Sequence, residues 1–135
     1  MNVQALVRDI TYLGVISSSE VSALQESVDF LVNPRFASSD YVTYSFPSKM
    51  IEYSKIGKPI IGYKLSPYPR ELVDAMLIPK DESSGALVQC LLEATQLDEE
   101  RRNELSRNAR LFFEKYTGQA YFSAEISQLI TDTFK

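Results

Sequence analysis

The residues best suited to do chemistry are Ser48, Lys49 and Glu52, within the string Phe46-Pro47-Ser48-Lys49-Met50-Ile51-Glu52-Tyr53. Pro47 fits a first helical turn, where its missing N–H costs nothing, and Gly57 fits a helix stop, so the spacing predicts a helix from 47 to 56. The free N–H groups of a first turn and the positive end of the helix dipole favour anionic oxygens; Ser48 adds a hydroxyl donor and Lys49 a full positive charge. Glu52 falls three residues after Lys49 on the same side of the helix, where a carboxylate can accept hydrogen bonds from two vicinal ribose hydroxyls. Phosphate first and sugar hydroxyls next is the order of a nucleoside diphosphate lying along a sheet edge. Plainer roles stand beside this one: Lys49 and Glu52 as a surface ion pair, Ser48 as part of the helix start, and Tyr44 and Phe46 as core packing.

Composition narrows the field around these residues. The chain has 135 residues, 14 Lys+Arg and 18 Asp+Glu, for a net charge of −4, which speaks against nucleic acid or a polybasic membrane contact. The absence of histidine removes the usual zinc sites, Ser-His-Asp triads and Cys-His pairs, and the single cysteine, Cys90, cannot form an internal disulfide. Cys90 sits among Leu87, Val88, Leu91 and Leu92 and reads as a buried thiol. No run approaches the length of a spanning helix and the start is not a secretory signal, so the expected location is cytoplasmic, at most peripheral at the inner face of the plasma membrane. Between residues 47 and 70 the basic groups Lys49, Lys55, Lys58, Lys64 and Arg70 face a single acid, Glu52, which makes this stretch the expected place for an anionic ligand.

The elements that must position the site alternate between short apolar runs and helical patterns. This predicts one α/β domain over 1–135, a Rossmann-like parallel sheet of about four strands flanked by helices. The expected strands are Ile10-Thr11-Tyr12-Leu13 before Gly14, Phe30-Leu31-Val32 before Asn33-Pro34, Lys58 to Tyr63, and Met76-Leu77-Ile78 before Pro79. After the first comes a cap cluster, Ser17 to Glu20, with Val21, Leu24 and Val28 at helical spacing. Arg35 to Phe46 is a long polar loop, and Glu71 to Asp74 a short helical stretch. From about 82 to 135 the pattern is helical, in three successive helices whose apolar stripes read as packing faces. Asp98-Glu99-Glu100-Arg101-Arg102 reads as a solvated first turn.

The string from Phe46 to Tyr53, with Gly57-Lys58-Pro59-Ile60-Ile61, resembles the donor-binding signature of GT-B glycosyltransferases, in particular the large retaining family that includes many bacterial polysaccharide enzymes. A subgroup carries Pro-Ser-Lys at the helix start, as here. Tyr12-Leu13-Gly14 is similar to the strand and glycine that precede the nucleotide base in that family, and Asp29 to Pro34 to its next strand. The resemblance spans about residues 10 to 79. It implies that Glu52 holds the ribose hydroxyls, that Ser48 and Lys49 face the donor diphosphate, and that Gly14 and Val15 border the base. The family often has a second Glu eight residues before the first; Tyr44 stands there, and Tyr44, Ser45 and Phe46 are the expected neighbours of the donor sugar.

The resemblance further implies part of a GT-B C-terminal domain, transferring a sugar from a nucleoside-diphosphate donor to a glycan or lipid-linked acceptor in bacterial surface polysaccharide synthesis. No metal and no cofactor beyond the nucleotide-sugar substrate is expected, and no residue is assigned as catalytic. Acceptor groups lie mostly on the other, N-terminal domain of such enzymes, so this chain alone is expected to be inactive. The alternatives are a sugar-nucleotide 2-epimerase-like domain, which the missing histidine weakens, and a non-catalytic nucleotide-binding or interaction domain. A stripe of Phe122, Ile126, Ile130 and Phe134 predicts a homo-oligomer of the isolated chain.

Overall fold

The structure, a computed structural model, describes residues 9–38 and 46–133. Tyr44 and Ser45, expected beside a donor sugar, lie outside the described residues, as do Phe134 and the side chain of Phe122. Helix α1 (Ser18–Ser27) begins with a reciprocal cap: the Ser17 hydroxyl accepts from the Glu20 N–H at 3.3 Å, and the Glu20 carboxylate accepts from the Ser17 N–H at 2.8 Å. Strand β1 (Leu31–Asn33) follows, then α2 (Ser48–Ile56), β2 (Ile60–Gly62), α3 (Arg70–Val73) and β3 (Met76–Leu77). Helices α4 (Ser84–Thr95), α5 (Glu99–Thr117) and α6 (Gln119–Thr133) complete the order, α4 and α5 opened by the Ser83 and Asp98 side chains accepting from the N–H groups of Ala86 and Arg101.

The strands form one parallel sheet in the order β1-β2-β3, with Leu31 opposite Ile60 and Ile60 opposite Met76. Because side chains alternate along a strand, β2 serves both faces. Ile60 enters a core with Met50 of α2, Leu72 of α3, Met76 and Phe112 of α5, whereas Ile61 packs with Cys90 and Ala94 of α4 on the other side. Helices therefore cover both faces of the sheet, which is what a parallel sheet needs, and the arrangement is compatible with a Rossmann-like fold.

Among the described residues three strands form where about four were expected. Ile10-Thr11-Tyr12-Leu13 joins no ladder; Tyr12 is 90% exposed, and Ile10 and Leu13 are also exposed. An apolar run becomes a strand only when a neighbouring edge takes its N–H and C=O groups and a face takes its side chains, and this run has neither among the described residues. At the other end of the sheet β3 stops at Leu77, leaving Ile78 exposed. In α1 the buried residue is Gln25, while Leu24 and Val28 of the expected apolar stripe are exposed. Cys90 is buried as expected, and that burial, with Glu93 nearby, pushes its thiol above the ordinary range. On α6, Ile126, Leu129 and Ile130 are exposed. No helix among the described residues is long and apolar enough to cross a membrane.

A candidate binding site between the first two helices

Two helices with opposite roles in the fold make the candidate site. The chain leaves the carboxyl end of β1 and, after the segment that follows it, enters α2, the position from which ligands are usually held in open parallel sheets. Met50 and Ser54 anchor α2 on its buried side, and Gly57 ends it at φ 74°, donating its N–H to the Tyr53 carbonyl at 3.2 Å. Only glycine takes that left-handed conformation without strain, so the helix stop anticipated at this position is a backbone requirement. The opposite side of α2 faces α1 across a cavity of about 420 Å³, whose lining includes Ser18, Val21, Gln25, Lys49, Glu52 and Lys55.

Glu52 lines this cavity. Its Oε1 accepts from the Gln25 Nε2 at 2.6 Å, and its Oε2 lies 3.4 Å from the Lys49 ammonium. Gln25 is only 9% exposed, and its own Oε1 is buried with no hydrogen-bond partner among the described residues. A buried amide oxygen without a partner costs free energy, so Gln25 is held there at some expense while its amide N–H orients Glu52. Lys49 and Glu52 are 57% and 41% exposed, and an ion pair of that kind adds about 0.3 kcal/mol. The pair does little for stability, and both groups remain available to a ligand. Behind them the Tyr53 hydroxyl donates to the Val32 carbonyl at 3.4 Å. Burial raises the Tyr53 phenol above its ordinary range, with Lys49 opposing that rise and Glu52 adding to it, so Tyr53 is a neutral donor at neutral pH.

Of the residues expected at a nucleotide site, Lys49 and Glu52 line the same cavity, while Ser48, exposed in the first turn of α2, lies outside its lining. Gly14 and Val15 are exposed ahead of α1 and also lie outside it; Gly14 takes φ 68° in a segment that is not a strand. Phe46 packs with Tyr68 and Phe112, at ring distances of 5.5 and 6.3 Å, on the core side of α2. Gln25 was not anticipated. Its signal is its place four residues after Val21, a polar side chain at helical spacing within an otherwise apolar row.

The set can accept hydrogen bonds from hydroxyls through Glu52 and offer cations to an anion through Lys49 and Lys55. Among the described residues no cluster of three or more His, Cys, Asp or Glu side chains could hold a metal ion. Comparison of the chain with protein-family models, with curated proteins and with solved structures finds no match.

Proposed function

We propose that the cavity between α1 and α2 binds a nucleoside diphosphate, and that the chain is the donor-side part of a retaining glycosyltransferase acting in bacterial surface polysaccharide synthesis. The observation that carries this reading is the placement of Glu52: one carboxylate oxygen is held by Gln25, the other lies beside Lys49, and both face a cavity of about 420 Å³. A carboxylate oriented from one side has lone pairs left for the two hydroxyls of a ribose. Lys49, a helical turn nearer the α2 N-terminus, offers positive charge to the diphosphate. In sugar transfer the negative charge that develops on the leaving diphosphate is stabilised by such fixed charges and dipoles. The chain binds the donor, and a separate acceptor domain completes the reaction, as the resemblance of Pro47 to Ile61 to the donor-binding signature implies.

Calorimetric titration of the wild type and Glu52→Ala with UDP, GDP and their 2′-deoxy forms tests the reading. The ribonucleotide is expected to bind, and Glu52→Ala to lose about tenfold or more of the affinity, as removal of hydrogen bonds to a charged group does. The 2′-deoxy nucleotide should show a loss in the wild type and little further loss in the variant. Equal affinity of wild type and variant for the ribonucleotide would sink the assignment.

A further inference from the structure

A second cavity, of about 410 Å³, opens at the amino ends of β1 and β2 and carries a different chemistry. Its charged lining consists of Lys58, Arg102, Arg107, Arg110 and a single acid, Asp29, in a chain whose net charge is −4. Arg102, Ser106, Arg107 and Arg110 recur along one face of α5, and the fold brings Lys58 and Asp29 to them from the segments that enter β2 and β1.

The cations are placed by the structure in different ways. The Arg102 guanidinium lies over the Phe30 ring, 5.3 Å from its centroid, and 3.6 Å from the Asp29 carboxylate, a separation too long for a hydrogen bond. Its Nε is buried and has no hydrogen-bond partner among the described residues. Arg110 lies across Gly57, so closely that a Cβ there would meet its Nε at 2.3 Å. Lys58, Arg107 and Arg110 form no ion pair among the described residues. Like charges gathered in one concavity repel, and an arrangement of this kind is relieved by an anion.

We propose that this cavity is a binding site for a phosphoryl group carrying more than one negative charge, separate from the site between α1 and α2. Guanidinium forks match phosphate oxygens in pairs, and the neutral Ser106 and Asn103 side chains at the same wall supply further hydrogen bonds. The size favours a compact anion such as pyrophosphate or a phosphomonoester, since the acidic surface elsewhere repels a long polyanion. The same phosphoryl chemistry is found free in solution and on a lipid headgroup.

The test titrates the full chain at low salt with inorganic pyrophosphate, and separately with vesicles of phosphatidic acid and phosphatidylcholine, while backbone amide shifts map the contact. Shifts are expected at 102–110 and around Lys58. Replacing both Arg107→Gln and Arg110→Gln is expected to weaken binding by about tenfold or more, the effect of losing charge-assisted hydrogen bonds. Both side chains are exposed, so the fold should survive; Lys58→Gln, in a different element, gives an independent loss should α5 be perturbed. Lys49→Gln should leave these shifts in place, which separates failure here from failure of the nucleotide reading. Saturable shifts with pyrophosphate assign the site to a free anion, and shifts with vesicles alone assign it to a headgroup. Shifts with neither, or shifts that persist unchanged in the double variant and in Lys58→Gln, overturn the proposal.

Discussion

The two polar cavities are nearly equal in volume, about 420 and 410 Å³, and opposite in construction. Between α1 and α2, positive and negative side chains are mixed, and the central carboxylate is held by a buried amide at 2.6 Å. Along α5, guanidinium and ammonium groups gather against one acid, Asp29, which lies 3.6 Å from the Arg102 guanidinium. The first arrangement can discriminate a ligand through directed hydrogen bonds to hydroxyls; the second attracts by charge and is sensitive to salt. The helix α2 is common to both, since its middle turns wall the first cavity and Gly57, at its end, borders the second.

The substitution that should break both at once is Met50→Ala. Met50 is fully buried on the core side of α2, against Ile60, Leu72 and Phe112. Truncating a buried Met typically costs about 2–5 kcal/mol through lost contacts and the void left behind. Urea unfolding is expected to show a loss of unfolding free energy of that size, as a lowered midpoint with the slope unchanged, and α2 is expected to lose its register over both cavities. A variant with wild-type stability would mean that α2 is held by something other than this core.

Gln25→Ala should act on the first cavity alone. It removes the donor that orients Glu52 Oε1, so nucleotide affinity is expected to fall by about fivefold, the effect of about 1 kcal/mol for one hydrogen bond. Pyrophosphate binding along α5 should not change, and a matched loss at both sites would show that the cavities are not independent. Gly57→Ala acts mainly on the other. At φ 74° an alanine costs about 1–2 kcal/mol, and its methyl meets the far end of the Arg110 side chain, which must swing away. Stability should drop by that amount and pyrophosphate affinity with it, while the Gln25–Glu52 contact persists.

How much of this was legible in the sequence differs between the two regions for a physical reason. The α2 helix could be read from Pro47 and Gly57, and the proximity of Lys49 to Glu52 from their spacing alone, because helix caps and i,i+3 neighbours are local features. The contact of Glu52 with Gln25 joins residues 27 apart, and the α5 cavity gathers Asp29, Lys58 and Arg102 from three separate segments. Neither is local. The row of Arg102, Ser106, Arg107 and Arg110 was present as a spacing on one helix face, yet without Lys58 and Asp29 opposite it describes only a solvated stripe. Strand pattern misled for the same reason. Ile60-Ile61-Gly62 and Ile10-Thr11-Tyr12-Leu13 are both short apolar runs bounded by a turn residue, but β2 is bonded to β1 on one side and β3 on the other and buried on both faces, whereas the earlier run meets no edge among the described residues.

The smallest expected effect concerns how α5 is held in place. Glu71 of α3 pairs with Lys115 of α5 and also accepts from the Tyr116 hydroxyl at 3.2 Å, as Glu52 accepts from Gln25 between α1 and α2. The hydrogen bond from Lys115 holds the Glu71 carboxyl below its ordinary value of 4.5, and the same bond holds the Lys115 ammonium above its ordinary value. For the acid, a folded-state value below the unfolded one means that the unfolded chain binds more protons as pH falls, so its contribution is complete above about 4.5 and is lost on descending through the folded value. For the base the order reverses: the contribution is complete below the ordinary lysine value and disappears as pH rises past the folded one. Both groups are solvent-screened, so the effect is small. Glu71→Gln should therefore be slightly less stable than the wild type at neutral pH, with the difference closing in acid, when melting temperatures of the two chains are compared between neutral pH and about pH 3. A difference that stayed constant down to acid would show that Glu71 holds α5 through its hydrogen-bond geometry rather than its charge, and would place the tether in the same class as the amide contact of the first cavity.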